Sequence, residues 1–166
     1  MICPVCQWQN FLGEDTCENC GADLAASDTP EATSSFHGGL LGMRLDKLGA
    51  PRPVTADAET SAGEAIERMR RDGLDCLLVI EAGKVVGIFT DRDAVLKVGT
   101  TVDDPRPLRE VMTPDPVVLR DDDPVAVAIH KMAVGEFRHV PILDEGDPIA
   151  VVSARDVFRH LAGGLG

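Results

Sequence analysis

The hydrophobic and polar positions of residues 54–98 recur at residues 117–161, at a constant offset of 63 residues and without a gap. In each copy a short apolar segment precedes a stretch with helical periodicity. Two apolar runs around a glycine turn follow, at 76–80 and 85–89 in the first copy, before a second helix. Each copy therefore predicts the order strand, helix, strand, strand, helix. We expect a mixed α/β (α+β) fold in which two such units pack about a pseudo-two-fold axis.

The first helix of each copy has its own start signal. In the first copy, Ser61 and Glu64 have the spacing of a capping box. In the second copy we expect Asp123 to cap the helix and Pro124 to take its first position.

Four of the five cysteines lie within the first twenty residues, in the pattern C-x2-C-x10-C-x2-C. Two such pairs can place four thiolates tetrahedrally around Zn²⁺ and leave no open position, which predicts a structural site rather than a catalytic one. Iron is the alternative metal for an all-thiolate site, and a redox C-x-x-C pair would need a βαβ context that the pattern lacks. Residues 17–24 also resemble a short zinc ribbon. The predicted metal ligands are Cys3, Cys6, Cys17 and Cys20.

Composition between these parts of the chain predicts how they are divided. Residues 25–43 are rich in Ser, Thr, Ala and Gly, which is typical of a flexible linker. The predicted organisation is a zinc ribbon at 1–24, a linker at 25–43, a first repeat at 44–110 and a second repeat at 111–166.

The net charge of −12 is unevenly distributed, because six acidic residues and no basic residue precede Arg44. Such a surface repels nucleic-acid phosphates and anionic lipids, both of which require Lys and Arg. The sequence has no apolar run long enough for a membrane span and no signal-peptide pattern at its start. We therefore expect a cytoplasmic protein that binds neither nucleic acid nor membrane.

The internal repeat resembles the CBS domain pair, or Bateman module, over roughly residues 44–164. Residues 87–93 (GIFTDRD) are similar to the family pattern Gly-apolar-x-Thr/Ser-x-x-Asp, and residues 150–156 (AVVSARD) match it with Ala in place of Gly. Met112-Thr113-Pro114 resembles the segment that often opens a repeat, and residues 139–144 resemble its central strand.

This resemblance implies that an adenine nucleotide (AMP, ADP or ATP) binds as a regulatory ligand in the cleft between the repeats. The aspartates of the two motifs would accept hydrogen bonds from the ribose, and the basic side chains would meet the phosphates. The implied ligand-binding residues are Thr90, Asp93, Arg138, His139, Ser153, Arg155 and Asp156. The resemblance also implies a homodimer formed through the helical faces of the repeats.

The first repeat departs from the family pattern, because Asp75 and Cys76 stand where the second repeat has Arg138 and His139. An acid at that position repels phosphate, so the second repeat is the better candidate site. Both Thr/Ser-x-x-Asp motifs also have a purely structural interpretation as capping boxes, and the two roles are compatible.

Candidate catalytic groups are scarce, since the sequence contains no P-loop, nucleophile elbow or catalytic metal pattern. We therefore expect a non-catalytic sensor whose ribbon contacts a protein partner. The alternatives are a structural adaptor with empty clefts and a nucleic-acid-binding regulator that uses the ribbon, which the acidity disfavours.

Overall fold

The computed structural model describes residues 2–3, 5–10, 16–24, 42–99 and 103–163. Of residues 161–163 it describes the backbone alone. Most of the expected linker, residues 25–41, lies outside the described residues. The chain forms two compact units, one made of residues 53–116 and the other of residues 1–52 together with 117–166. None of the described helices is long and apolar enough to cross a membrane.

The unit at residues 53–116 contains a four-stranded sheet in the order β1-β2-β3-β4. Strand β1 pairs parallel to β2, and the other neighbouring strands are antiparallel. Its elements are β1 (Thr55–Asp57), α1 (Ala62–Asp72), β2 (Cys76–Glu81), β3 (Lys84–Thr90), α2 (Asp91–Asp93, continued by a π-helical stretch Ala94–Val98), α3 (Leu108–Val111) and β4 (Thr113–Pro114).

The other unit contains the second repeat, built around an antiparallel strand pair. Its elements are a 3₁₀ helix (Leu45–Leu48), α4 (Val125–Gly135), β5 (His139–Asp144), β6 (Asp147–Ser153) and α5 (Ala154–Gly163). The predicted mixed α/β fold is confirmed, and the first repeat has the predicted order of elements, whereas the second repeat has it from its first helix onward.

The first strand of the second repeat is reduced to a single parallel bridge between Leu119 and Ile142. In the first repeat, the Leu78 N–H donates to the Val54 carbonyl at 3.0 Å and extends the parallel pairing. Pro141 occupies the position of Leu78 and has no N–H to donate. Pro141 therefore removes one hydrogen bond of the parallel pairing at this end of the strand.

The two helix starts differ from each other. Ser61 accepts a hydrogen bond from the Glu64 N–H at 3.3 Å, which is one half of the predicted capping box. The predicted cap at Asp123 is wrong, because Pro124 is the N-cap residue of α4 and makes no side-chain cap. The Asp123 carboxylate instead accepts from the Arg120 N–H at 2.7 Å and closes the preceding turn.

Each compact unit contains a segment that precedes the other repeat in sequence. Leu45 is buried in the core of the second repeat, with Met43, Leu48 and Ala50 packed against that core. Strand β4 pairs with β3 of the first repeat. Residues 44–52, which the sequence assigned to the first repeat, lie in the compact unit of the second repeat. Residues 111–116, which the sequence assigned to the second repeat, lie in the compact unit of the first.

Candidate functional site

Each C-x2-C pair lies in a tight antiparallel hairpin. In the first hairpin the Cys3 N–H donates to the Trp8 carbonyl at 2.9 Å, and in the second the Cys17 N–H donates to the Ala22 carbonyl at 2.7 Å. Gly21, directly after the last cysteine, has a φ of 72°, a left-handed conformation that glycine adopts without strain. The two pairs are thus held by the same local geometry.

The four cysteine sulfurs form one cluster, with every Sγ within 4.8 Å of the others. The Sγ atoms of Cys3 and Cys20 are 3.6 Å apart, and those of Cys6 and Cys17 are 3.5 Å apart. These distances exceed a disulfide bond of about 2.05 Å and are close to the separation of about 3.8 Å expected around a tetrahedral metal with bonds of about 2.3 Å. The four sulfur donors and their spacing fit a single metal ion bound by four thiolates.

Asn10 links the two hairpins beneath this cluster. It is buried, and its Nδ2 donates to the Cys17 Sγ at 3.6 Å and to the Trp8 carbonyl at 3.0 Å. Its Oδ1 accepts from the Glu18 N–H at 3.0 Å. Side chains of this kind orient metal ligands. Asn10 has no separate signal in the sequence, since only the structure brings it beside the second cysteine pair.

The thiols of the cluster differ in acidity. Burial raises the pKa of the Cys17 thiol. Hydrogen bonds from the backbone N–H groups of Cys20 and Asn19 lower it by more, so that the pKa of Cys17 is about 6. Burial and the neighbouring thiols raise the pKa of Cys20 to about 12. Four thiolates this close repel one another, and a bound cation removes that repulsion.

In the first repeat, the Asp93 carboxylate is occupied on both oxygens. Its Oδ2 accepts from the Thr90 N–H at 3.0 Å and from the Thr90 hydroxyl at 2.7 Å, while the Asp93 N–H donates back to that hydroxyl at 3.2 Å. Its Oδ1 accepts from the Thr113 hydroxyl at 2.9 Å and lies 2.8 Å from the Lys97 Nζ. Burial raises the pKa of Asp93, but the hydrogen bonds from Lys97, Thr90 and Thr113 lower it below its ordinary value.

In the second repeat, the motif has the same capping box but a more open second oxygen. Asp156 Oδ2 accepts from the Ser153 N–H at 2.9 Å and from the Ser153 hydroxyl at 2.6 Å. Asp156 Oδ1 lies 3.3 Å from the Arg159 Nη1, and the Arg159 side chain is 72% exposed. The Asp156 side chain is 15% exposed, against 8% for Asp93.

The offset of 63 residues explains this difference. Ala50 and His160 stand where the first repeat has Thr113 and Lys97. Alanine has no hydroxyl to donate, and His160 is exposed. The offset shows this difference once the structure has identified Thr113 and Lys97 as the partners of the motif.

The basic candidates of the second repeat lie beside this motif. His139 pairs with Ser153 across the hairpin, and the Arg138 carbonyl accepts from the Ala154 N–H at 2.9 Å. Arg138 is exposed, His139 is half-buried, and Arg155 is exposed on the first turn of α5. The structure therefore brings together at one end of the hairpin the residues that the sequence assigned to the second repeat.

The corresponding end of the first repeat is built in the same way from different side chains. Cys76 pairs with Thr90, and the Asp75 carbonyl accepts from the Asp91 N–H at 3.1 Å. Both Asp75 and Cys76 are half-buried. An acid and a thiol thus stand where the second repeat places an arginine and a histidine.

Comparison with known proteins identifies the family of the repeat. The family model of the CBS domain matches residues 47–99 and 108–163. Meiotically up-regulated gene 70 protein of Schizosaccharomyces pombe is 36% identical over 141 residues, which are 82% of this chain and 19% of that protein. The chain spans about a fifth of the length of the first curated relatives that it matches.

Solved structures share the fold. The CBS domain pair of protein MJ0100 in complex with 5′-methylthioadenosine and S-adenosyl-L-methionine has a TM-score of 0.66 at 23% identity, over 74% of this chain and 98% of that one. CBSX2 in complex with AMP has a TM-score of 0.63 at 23% identity, over 75% of this chain and all of that one (100%). The hexameric CBS-CP12 protein from bloom-forming cyanobacteria has a TM-score of 0.64 at 21% identity, over 70% and 71%. With two matched domains and this fold, the chain belongs to the CBS domain family.

Proposed function

We propose that this chain is a non-catalytic regulatory protein that binds an adenine nucleotide (AMP, ADP or ATP) at its second repeat and holds a structural zinc ion in its N-terminal ribbon. The observation that carries the nucleotide proposal is that Asp156 Oδ1, the outer oxygen of this carboxylate, is not held by the Ser153 cap. This oxygen has one partner among the described residues, the exposed Arg159. The equivalent oxygen of Asp93 has two partners, Thr113 and Lys97.

A ribose presents hydroxyl donors, so its site needs an acceptor that is still available. An exposed ion pair such as Asp156–Arg159 contributes only about 0–1 kcal/mol, and a ligand can replace it at small cost. At Asp93 a ligand would have to displace a hydroxyl and an ammonium from a buried carboxylate. The second repeat is therefore the preferred ribose site.

The charges around Asp156 support phosphate binding nearby. Arg138, His139 and Arg155 lie near the same end of the second repeat, and guanidinium groups bind phosphate with charge-assisted hydrogen bonds. The complexes of CBSX2 with AMP and of MJ0100 with two adenosine derivatives support an adenosine-containing ligand for this fold.

The zinc proposal is supported by the four clustered sulfurs and by the size of the ribbon. Among the residues of the ribbon that the structure describes, the buried apolar cluster consists of Cys3, Cys17 and Leu24, with Cys6 and Ala22 packed against it. A core this small does not hold two hairpins together, and a bound ion supplies the missing cross-link. Zinc is preferred over iron because tetrahedral all-cysteine sites without an open position are typical of structural zinc.

A homodimer is part of the proposal. Among the described side chains, each repeat exposes two large apolar residues on its helices: Val95 and Leu96 in the first repeat, and Val134 and Phe158 in the second, all at 70–71% exposure. A second copy of this chain would bury such residues. Light scattering should give a dimer mass at micromolar concentration, and a monomer would contradict this part of the proposal.

The capping boxes favour a second candidate, a structural adaptor that binds no nucleotide. Thr90 with Asp93 and Ser153 with Asp156 each bond reciprocally, which gives both motifs a role without a ligand. A nucleic-acid-binding regulator remains disfavoured by the acidic ribbon segment.

Isothermal titration calorimetry with adenosine, AMP, ADP, ATP and S-adenosylmethionine separates these candidates. We expect at least one adenine nucleotide to bind, and Arg138→Ala to weaken ATP and ADP more than adenosine, because only the phosphates contact it. Asp75→Ala at the equivalent position of the first repeat is the matched control and should leave this ratio unchanged. If no adenosine-containing ligand binds at millimolar concentration, the adaptor interpretation replaces the sensor.

A further inference from the structure

Helix α4 carries a buried lysine, Lys131, whose positive charge is balanced by a carboxylate of the ribbon. The Lys131 side chain is only 9% exposed, and its Nζ lies 3.1 Å from both carboxylate oxygens of Asp23. A lysine is rarely buried to this extent unless a negative charge lies beside it. Asp23 belongs to the second hairpin of the ribbon, where it bridges Thr16. A ribbon carboxylate thus completes the environment of a cation in the second repeat.

The first repeat shows that the fold itself does not bury this position. Arg68 of α1 is the equivalent of Lys131, and its side chain is 40% exposed. The same comparison holds one turn earlier, where Glu64 is exposed and its equivalent Val127 is buried. Helix α4 therefore presents a face that is covered, whereas the same face of α1 is charged and open to solvent.

Two further contacts join the ribbon to the second repeat. The Val5 carbonyl would lie 3.2 Å from a Cβ atom at Gly146, which places the first hairpin against the β5–β6 turn. Gln7 Oε1 is 3.5 Å from the Arg120 Nη1, just before α4. The first hairpin thus supplies Val5 and Gln7, and the second supplies Asp23. A metal ion bound by the four cysteines would hold the two hairpins side by side, so that all three contacts can form together.

These contacts touch the elements that carry the proposed nucleotide site. Helix α4 leads directly to Arg138 and His139, and the β5–β6 turn joins the strands that carry His139 and Ser153. We propose that the ribbon docks on the second repeat through the Asp23–Lys131 ion pair, and that metal-dependent docking raises the nucleotide affinity of that repeat. This inference rests on the proposed function for the metal and the ligand. The coupling is reciprocal, so a bound nucleotide also favours the docked ribbon.

Trp8 is the only tryptophan of the chain and lies in the ribbon, 50% exposed, so its fluorescence reports ribbon motion. In the zinc-loaded full chain, time-resolved anisotropy of Trp8 should show rotation with the whole protein. Lys131→Met should add a fast component, because the ribbon loses its ion pair, and zinc removal should do the same. Arg68→Met is the matched control and should leave the anisotropy unchanged. Asp23→Asn repeats the test from the ribbon side, in case Lys131→Met does not fold.

Calorimetry with AMP on the same proteins tests the coupling. Undocking by Lys131→Met or by zinc removal should weaken AMP binding about fivefold or more. Unchanged anisotropy in both Lys131→Met and Asp23→Asn would overturn the docking. Changed anisotropy with unchanged AMP affinity would overturn the coupling. Absence of zinc in elemental analysis, or of AMP binding to the wild type, would instead refute the proposed function and with it the coupling, while the anisotropy of the variants still decides the docking.

Discussion

Asp93 and Asp156 occupy the same position of the two repeats and make the same capping box, but their outer oxygens differ. Lys97 and Thr113 hold the outer oxygen of Asp93 within its own unit. The outer oxygen of Asp156 meets one exposed arginine. Asp93 therefore supports the fold with both oxygens and Asp156 mainly with one, which is why we propose Asp156 as the acceptor for a ligand.

The comparison teaches that a family motif does not by itself define a binding site. The motif fixes one carboxylate oxygen through its own backbone, and residues elsewhere in the repeat decide what the other oxygen does. In this chain the deciding positions are 97 and 113 in the first repeat, with 160 and 50 as their equivalents.

The largest expected effect concerns folding stability. Asp93→Ala should lower the free energy of unfolding by roughly 2–3 kcal/mol, because it removes the cap together with the hydrogen bond from Thr113 and the ion pair with Lys97. Asp156→Ala should cost only about 1 kcal/mol, since it removes mainly the cap. Urea denaturation of both variants measures the difference. Equal losses would show that the two aspartates support the fold alike.

Gly87 and Ala150 offer a second contrast between the repeats. A Cβ atom at Gly87 would clash with the Met112 Sδ and lie 3.0 Å from the Thr113 carbonyl oxygen, and the position equivalent to Met112 in the second repeat is Gly49. Gly87→Ala should therefore destabilise the protein by roughly 1–3 kcal/mol through overpacking.

Thermal denaturation of Gly87→Ala, of Met112→Ala and of the variant that carries both substitutions checks this prediction. The second substitution removes the clashing sulfur, so the double variant should lose less than the two single changes combined. Strict additivity of the two losses would contradict the proposed clash.

The smallest expected effect concerns pH. The folded pKa of Asp93 is lowered, so its charged form stabilises the native state above the unfolded pKa of about 4, and this contribution is lost as the pH falls through the folded pKa. The free energy of unfolding should decline on acidification, and the decline should be shallower in Asp93→Asn. Urea titrations between about pH 5 and pH 3 measure it. An identical slope in Asp93→Asn would remove Asp93 from the account.

Much of this organisation could be predicted from the sequence, because it follows from local patterns. The repeat at an offset of 63 residues predicted the order of elements, and the cysteine spacing predicted the cluster that the structure contains. The cap at Asp123 was mispredicted because its carboxylate was engaged by the turn before it. Asn10, Thr113 and the Asp23–Lys131 pair depend on tertiary contacts, and the last joins residues 108 positions apart.

We propose that the nucleotide binds at the second repeat through Asp156. Calorimetric titration of AMP into Asp156→Ala and into Asp93→Asn measures how much each aspartate contributes to binding. Loss of an acceptor from the ribose typically costs roughly 1.5–3 kcal/mol, so Asp156→Ala should weaken AMP about tenfold or more. Asp93→Asn should bind AMP like the wild type. AMP binding that survives Asp156→Ala but falls in Asp93→Asn would contradict the claim and place the nucleotide at the first repeat.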